Sequence, residues 1–310
     1  NIPNVQRAMS VFVAEELSEV LNTKVVIGRI NMGLLNRIII DDVLLDDQSG
    51  QEMLKVTRLS AKFDIMPFFK GKISISSVQL FGFNINLRKE TPDSPPNFKF
   101  VLDAFASKDT VKKENSLDLR INSILIRRGR MSYHVLSEEE TPGKFNAKHI
   151  QLQNIIANIS LKALSKDSLN LGIKRLSLDE KASGFSLKKM SLKLVANNKQ
   201  TNIDNFTIEL PETSLKLDTI HLEYDSLKAF DRFTEQVHFS FRTLPSQVTL
   251  KDISPFVPIL SHFKEPVTLD MEVKGTVDQL TCSHLEITTD DRQFRLRGDV
   301  SLQDLSHPQD

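Results

Sequence analysis

The segment FGFNINLR, residues 81–88, decides the fold class. Every odd-numbered position in it is apolar, and every even-numbered position is glycine, polar or charged. Because the side chains of a β-strand point alternately to opposite faces, this pattern predicts a half-buried strand with one dry face and one wet face.

The same alternation recurs along the chain. A chain with so many half-buried strands is expected to be mainly β and to form a long antiparallel sheet with one solvated face. The further apolar runs are Leu117, Leu119 and Ile121; Ile155, Ala157 and Ile159; Leu169, Leu171 and Ile173; Leu215 and Leu217; Val237, Phe239 and Phe241; and Leu269, Met271 and Val273.

Several of these runs change phase and continue. The run that ends at Leu217, for example, resumes at Ile220. A slip of one residue turns every later side chain to the other face, so a bulge or corner is expected at each change. Bulges at repeated points curve a sheet, and the sequence therefore predicts a long curved antiparallel sheet.

The chain is expected to comprise four segments. Residues 1–22 have apolar residues at steps of three and four and predict an amphipathic N-terminal helix. Residues 23–90 form a first β segment, and the Pro-rich and charged residues 91–116 a loop region. Residues 117–310 form a repeated β-groove segment, within which residues 252–263 predict a short helix interrupted by proline. The whole chain is expected to be a fragment of a longer protein.

The composition excludes some classes of function. The net charge is +0, so the chain carries no large basic field to attract nucleic acid. With Phe 19, Tyr 2 and Trp 0, the aromatic rings suit apolar packing or acyl chains better than sugar platforms. The one cysteine, Cys282, excludes an intramolecular disulfide.

No motif for catalysis is present. The sequence lacks the nucleotide-binding, nucleophile-elbow and zinc-protease patterns, and its seven His residues are too scattered for a local metal motif. The acidic pairs Asp41-Asp42 and Asp46-Asp47 offer carboxylates for a cation, but solvated strand ends or turns are the favoured interpretation. We therefore expect a protein that is not an enzyme and has neither cofactor nor metal.

One cationic cluster stands out, Arg127, Arg128 and Arg130. Guanidinium groups bind phosphate bidentately, so this cluster is a candidate for contact with lipid headgroups or a membrane surface. A water-exposed hairpin is the alternative and is favoured.

The apolar face has two interpretations. It is either the filled core of a β-sandwich or the open inner face of a curved sheet that holds acyl chains, and periodicity fits both. The shifted runs and the abundance of phenylalanine favour the groove. The residues expected to line it are Phe81, Phe83, Ile85, Leu87, Leu117, Leu119, Ile121, Ile155, Ile159, Leu169, Leu171, Phe239, Phe241 and Met271.

Residues 21–54 (LNTKVVIGRINMGLLNRIIIDDVLLDDQSGQEML) and 58–87 (RLSAKFDIMPFFKGKISISSVQLFGFNINL) resemble, in order and spacing, the opening of the AsmA-like family and especially its TamB translocation and assembly module branch. Residues 117–135 resemble the family's unit of strand, shift, strand, Gly turn and strand. Residues 269–278 and 295–302 are similar to its strand-Gly-Thr pattern.

The resemblance implies a location and partners. Family members are tethered to the inner membrane of Gram-negative bacteria by an N-terminal helix. They cross the periplasm as a long antiparallel sheet curled into a taco-like groove with an apolar inside. Phospholipid acyl chains are expected to move along the groove between inner and outer membranes. TamB members also work with an outer-membrane barrel protein, TamA. In this chain the membrane anchor and the barrel-binding C-terminal domain are expected to lie outside residues 1–310.

Three functions follow as hypotheses. The first is the periplasmic part of a bridge that carries phospholipid in outer-membrane biogenesis. The second is a scaffold or chaperone that assembles outer-membrane proteins by offering strand edges to nascent β-strands. The third is a filled sandwich with a structural role.

Overall fold

The structure is a computed structural model that describes residues 2–33, 36–63, 73–106, 117–118, 122–164, 168–289 and 293–303. The chain forms two compact units. Unit 1 comprises Asn1–Asn158 with Leu178–Gly184, and unit 2 comprises Ile159–Ser177 with Phe185–Asp310.

The chain is mainly β, which confirms the predicted class. Its α-helices are α1 (Ile2–Leu21), α2 (Lys99–Ala106) and α3 (Phe233–Gln236). Its strands are β1 (Val25–Gly33), β2 (Arg37–Asp46), β3 (Glu52–Phe63), β4 (Ile73–Lys89), β5 (Leu117–Asp118), β6 (Ser123–Val135), β7 (His149–Leu164), β8 (Ser168–Glu180), β9 (Ser186–Asn197), β10 (Gln200–Glu209), β11 (Ser214–Leu217), β12 (Ile220–Glu223), β13 (His238–Arg242), β14 (Ser246–Val248), β15 (Val267–Gly275), β16 (Gln279–Thr289) and β17 (Arg295–Gln303).

The sheet of unit 1 is mixed rather than wholly antiparallel. Strands β1 to β4 pair with one another in sequence and antiparallel. Strand β6 pairs parallel to β4, and the short β5 does the same. A parallel pair needs a crossover connection, and the segment after β4, which contains α2, provides it. The antiparallel prediction is wrong at this place, and residues 91–116 include a helix where a loop region was expected.

The sheet of unit 2 is antiparallel wherever its pairing is described. Strand β10 pairs with β9 on one side and with both β11 and β12 on the other. Strand β11 ends at Leu217 and β12 begins at Ile220, so the ladder on this side of β10 is interrupted where a bulge or corner was predicted. The helix predicted near residues 252–263 is present as two 3₁₀ turns, Leu250–Ile253 and Pro258–His262.

The N-terminal helix is confirmed, but its buried stripe differs from the predicted one. Ser10, Ala14 and Leu21 are buried, whereas Phe12 is 63% exposed and Val20 is 43% exposed. The periodicity predicted a helix with apolar residues along one side, but several of these residues are exposed. It did not show that small residues make the closest contact with the sheet.

Two serines explain why this side of α1 packs against the sheet. The Ser10 hydroxyl oxygen accepts the backbone N–H of Ile30 at 3.1 Å, and that of Ser18 accepts the N–H of Val25 at 3.0 Å. Both amides belong to β1, and a strand edge with unpaired N–H groups is prone to pair with other chains. Helix α1 thus satisfies part of the β1 backbone while it packs against that strand.

Helices α1 and α2 cover one end of the apolar surface of unit 1. Ala14 and Leu21 of α1 join a buried cluster with residues of β1, β2 and β3. Phe100 and Ala104 of α2 pack against the same cluster. The first three strands therefore have a second layer.

A buried carboxylate holds the hairpin between β2 and β3. Asp47 is 2% exposed, and its Oδ2 lies 2.6 Å from Nη2 of Arg88 on β4. The Asn97 amide donates to the same carboxylate at 3.1 Å. Burial disfavours the charged form of Asp47 and by itself would raise the pKa of this carboxyl. Four hydrogen bonds outweigh this effect and lower the pKa; they come from the side chains of Ser49 and Asn97 and from the backbone N–H groups of Gln51 and Ser49.

We expect Asp47→Asn to lower the free energy of unfolding at pH 7 by about 2 kcal/mol, because Arg88 loses its buried counter-charge. The pKa of Asp47 is lower in the folded than in the unfolded protein. Its carboxylate therefore contributes to stability at pH values above its ordinary pKa of 3.8, and this contribution is lost as the pH falls through the folded pKa. Urea unfolding at pH 7 and at about pH 3 measures both effects.

The control is Asp93→Asn, at an exposed acid in the turn after β4. It should change stability by less than about 0.5 kcal/mol. Equal losses in the two variants, or a loss in Asp47→Asn that is the same at both pH values, would contradict the assigned role of this carboxylate.

Candidate functional site

Four residues of unit 1 have a left-handed backbone inside strands. They are Asp42, Gly82, Arg128 and Asn154, with φ of 56°, 65°, 55° and 55°. They lie on β2, β4, β6 and β7, and we call this set the crease. Left-handed conformation is uncommon for any residue except glycine, so three such non-glycine residues together with Gly82 in one sheet indicate a shared structural demand.

The strand registers place the crease residues of β2, β4 and β6 in one line across the sheet. Asp42 lies opposite Thr57 of β3, between the pairs Asp41–Arg58 and Val43–Val56. Thr57 in turn lies opposite Gly82, and its hydroxyl donates to the Gly82 carbonyl at 3.1 Å. In the parallel pairing of β4 with β6, Gly82 falls beside Arg128.

The crease reverses the alternation of side chains in each strand. On either side of it, residues that face the apolar clusters are three positions apart instead of two, as Leu80 and Phe83 are on β4. The other such pairs are Ile40 and Val43, Val56 and Leu59, and Leu152 and Ile155.

The result is one continuous apolar surface, which we call the apolar face of unit 1. Val56, Phe83 and Ile155 are buried at its centre. No described residue of α1 or α2 belongs to this cluster, so its contacts come from neighbouring strands. The half-buried residues packed on it are Val43, Leu54, Leu59, Leu80, Ile85, Ile126, Met131, Leu152 and Leu178.

The uniform alternation predicted for residues 81–88 is wrong at Gly82. Phe83 is 7% exposed, whereas Phe81 is 39% exposed and has the Arg128 guanidinium 5.1 Å from its ring centroid. The positive φ of Gly82 turns the chain over between the two phenylalanines. Phe81 therefore does not share a face with Phe83 and Ile85.

Gly129 makes room for the Phe83 ring. A Cβ at this position would overlap Cε1 and Cζ of Phe83 and would lie 3.0 Å from Cβ of Ile155. The ring therefore lies directly over the β6 backbone, which fixes the distance between β4, β6 and β7 at the centre of the apolar face.

The remaining residues predicted to line a groove are distributed over both units. Leu87 of unit 1 is half-buried. In unit 2, the half-buried residues are Ile159, Leu169, Leu171, Phe239, Phe241 and Met271. Leu119 and Ile121 lie outside the described residues, as does the side chain of Leu117.

Unit 2 contains the same backbone device. Asn205 on β10 and His284 on β16 have φ of 54° and 56°, and the registers of both strands shift at these residues. Directly opposed residues of antiparallel strands point to the same face. The registers thus place four apolar side chains in one row across β13, β15, β16 and β17, namely Phe241, Val273, Cys282 and Val300.

The arginine cluster lies on the face opposite Phe83. Arg127 is the register partner of Phe81, and Arg128 stacks on the Phe81 ring. Arg127, Arg128 and Arg130 are all exposed. They are therefore not placed to contact a ligand bound on the apolar face of unit 1 next to Phe83, and contact with a membrane surface stays a prediction.

One carboxylate of each acidic pair, Asp41-Asp42 and Asp46-Asp47, is paired with an arginine. Asp41 forms an ion pair with Arg58 at 2.6 Å, and Asp47 is paired with Arg88. Asp42 takes part in the crease. These contacts favour the interpretation of strand ends and turns over a cation site.

A second buried carboxylate holds the turn after β8. Glu180 is 2% exposed and accepts backbone N–H groups of Gln151 at 3.0 Å and Ser183 at 2.6 Å. Burial opposes the ionisation of Glu180, but the hydrogen bonds it accepts have the larger combined effect and lower its pKa. The donors are the Ser183 hydroxyl and the backbone N–H groups of Gln151, Ser183 and Ala182. This contact ties the end of β8 to β7 within unit 1.

Sequence reasoning missed one polar cluster. His134 and His149 lie 15 positions apart, at the end of β6 and the start of β7, and their rings meet in the structure. A separation of 15 residues matches no local metal-binding spacing, so the sequence alone carried no signal for this pair.

Comparison with known proteins adds no relative: no protein-family profile matches the chain, and no curated sequence matches it significantly. Among the helices in the described part of the chain, none has the length and apolar character required to span a bilayer.

Replacing the two phenylalanines separately tests the reversal at the crease. We expect Phe83→Ala to lower the free energy of unfolding by about 3–5 kcal/mol, because it empties a buried ring site. Phe81→Ala should cost about 1 kcal/mol or less, since an exposed ring loses mainly its contact with Arg128. Urea denaturation followed by circular dichroism measures both, and equal losses would contradict the reversal.

Gly129→Ala should destabilise the protein by about 1–3 kcal/mol, because its methyl group overlaps the Phe83 ring. The double variant Gly129→Ala/Phe83→Leu should lose less than the sum of the two single changes, because leucine lacks the ring atoms that clash. Gly298→Ala is the control, since nothing lies within 4 Å of the added Cβ there. Strict additivity in the double variant would show that the contact does not set the strand spacing.

Proposed function

We propose that this protein binds the acyl chains of phospholipids along the apolar faces of its β-sheets and serves as the periplasmic part of a bridge between the inner and outer membranes. The proposal joins the sequence resemblance to the AsmA-like family, and to its TamB branch, with the geometry of the strands. It assigns a binding and transport role rather than catalysis.

The observation that carries the proposal is the reversal of alternation at the crease. If apolar and polar residues alternated without a break through a left-handed residue, the apolar side chains before and after that residue would point to opposite faces. Here the sequence changes phase at that residue, so that Leu80, Phe83 and Ile85 stay on one face. Unit 2 repeats the device at Asn205 and His284. An uninterrupted apolar surface along strands of 9 to 17 residues matches the extended form of an acyl chain.

The physical advantage for a lipid is large. Transfer of an acyl chain into water costs about 0.8 kcal/mol for each CH₂ group. A continuous apolar face removes most of this cost at each position along the sheet, while the headgroup remains in water. Phenylalanine rings without polar atoms, such as the neighbouring Phe239 and Phe241, provide such a surface without hydrogen-bonding demands.

A second candidate is a scaffold that assembles outer-membrane proteins together with a barrel partner. Strand β17 favours it, because within the described residues it pairs only with β16. Its other edge presents backbone N–H and C=O groups to which a nascent strand could add. Leu296 and Leu302 on this strand are 45% and 39% exposed.

Site-specific crosslinking distinguishes the two functions. The photoreactive amino acid benzoylphenylalanine replaces Ile85, Phe239 or Phe81 in protein directed to the periplasm of a Gram-negative host, and adducts are identified by mass spectrometry after irradiation. We expect phospholipid adducts at Ile85 and Phe239, because both lie among the proposed lining residues. Phe81 is the matched control, since it lies two residues from Phe83 on the other face.

Absence of phospholipid from Ile85 and Phe239 in folded protein, or equal labelling at Phe81, would contradict the lipid-binding role. Adducts with outer-membrane protein segments in place of lipid would favour the scaffold. Circular dichroism of each purified variant establishes that the fold is retained.

A further inference from the structure

Two histidine rings meet at the base of the hairpin between β6 and β7. Nδ1 of His134 lies 3.0 Å from Nδ1 of His149, and the ring centroids are 5.3 Å apart. The adjacent residues Val135 and Lys148 are joined by a backbone hydrogen bond of 2.9 Å, so the two histidines sit beside a fixed point of the hairpin. His149 is 6% exposed and His134 is half-buried.

A backbone carbonyl fixes the tautomer of His149. Its Nε2 lies 2.9 Å from the carbonyl oxygen of Glu138, and because a carbonyl only accepts, Nε2 must carry the proton. In neutral His149 the Nδ1 atom therefore presents a lone pair toward His134. An N–H donated to a backbone carbonyl behind the coordinating nitrogen is the usual support of a metal-binding histidine.

A third ligand is close to the pair. A carboxylate oxygen of Glu140 and one ring nitrogen of each histidine all lie within 4.8 Å of one another, which makes this the one such group among the described residues. Two nitrogens bound tetrahedrally at 2.0–2.1 Å from zinc are about 3.3 Å apart, close to the separation of this histidine pair. Glu140 is exposed, so its side chain is free to change rotamer and complete the set.

The charges around the cluster suit a cation. Lys148 is paired with Glu138 at 2.6 Å, and Arg88, the register partner of His134, is paired with Asp47. Both nearby cations thus have their own carboxylates. Glu140 contributes the negative charge that two neutral histidines lack.

We propose that His134, His149 and Glu140 form a binding site for a divalent transition-metal ion, with zinc as the preferred ion. In the free protein, Nδ1–H of His134 donates to Nδ1 of His149. When zinc binds, the His134 proton moves to Nε2 and both Nδ1 lone pairs coordinate the ion, with no net release of a proton from the two rings. Three protein ligands leave a fourth position for water or an anionic group.

The site joins the loop of residues 136–148 to the two strands that flank it, because Glu140 lies in this loop and the histidines lie on β6 and β7. Zinc should therefore stabilise the β6–β7 hairpin. The proposal does not depend on lipid binding, since Ser132, two residues before His134 on β6, hydrogen-bonds to Asn86 and belongs to the polar face of this strand.

Metal binding by the untagged protein tests the proposal. After treatment with a chelator, Zn²⁺ is added in isothermal titration calorimetry, and Co²⁺ is added in parallel as a spectroscopic probe of tetrahedral geometry. We expect one Zn²⁺ per chain, a visible Co²⁺ spectrum of the tetrahedral type and a higher Tm with Zn²⁺. His134→Ala and Glu140→Gln should each weaken binding by about tenfold or more.

Glu139→Gln is the matched control, because Glu139 is an exposed neighbour in the same loop, and it should bind Zn²⁺ as the wild type does. These variants leave the buried His149 in place, so loss of binding does not require loss of the fold. The proposal is overturned if the wild type binds no stoichiometric Zn²⁺, if His134→Ala binds as tightly as the wild type, or if Glu139→Gln weakens binding as much as Glu140→Gln.

Discussion

The structure of unit 1 depends on the left-handed backbone of the crease. A left-handed residue inside a strand costs free energy for any side chain except glycine, yet Asp42, Arg128 and Asn154 adopt it in neighbouring parts of one sheet. Register explains why the cost is tolerated. If only one strand turned over, its apolar side chains beyond that point would face water while those of its neighbours faced the cluster. Once one strand reverses, the adjacent strands must reverse at the same level, and the cost is shared by a continuous apolar surface.

Polar contacts fix the strands at the ends of this surface, in addition to the apolar packing of α1 and α2 on the first strands. On β1, serine hydroxyls of α1 bind two backbone amides, and a helix that contributed only leucines could not do this. At the β2–β3 hairpin, the Asp47 carboxylate binds both Arg88 and the turn amides. Polar groups buried with full hydrogen bonding specify one register, whereas apolar contacts alone would tolerate a slip by two residues.

The sequence alone predicted the mainly β class, the N-terminal helix, the interruption after Leu217 and the interrupted helix near residue 258. These features depend on local periodicity and on proline. It did not predict the parallel pairing of β4 with β6, because the direction of a strand depends on the path of the connection before it. It also misassigned Phe81, since the alternation was counted straight through Gly82. A glycine within an alternating run is the available sign of such a reversal, and Asn154 shows that asparagine serves the same purpose.

The two faces of the sheet in unit 1 place different demands on substitution. On the apolar face, side chains from successive strands touch one another, so a change at Phe83 is felt by Gly129 and Ile155 together. On the other face, contacts are pairwise and polar, as between Arg58 and Asp41 or between His134 and His149. Pairwise contacts can change without disturbing the crease. The proposed surface for acyl chains and the proposed metal-binding hairpin therefore impose separate requirements on the same strands, and neither limits the residues available to the other.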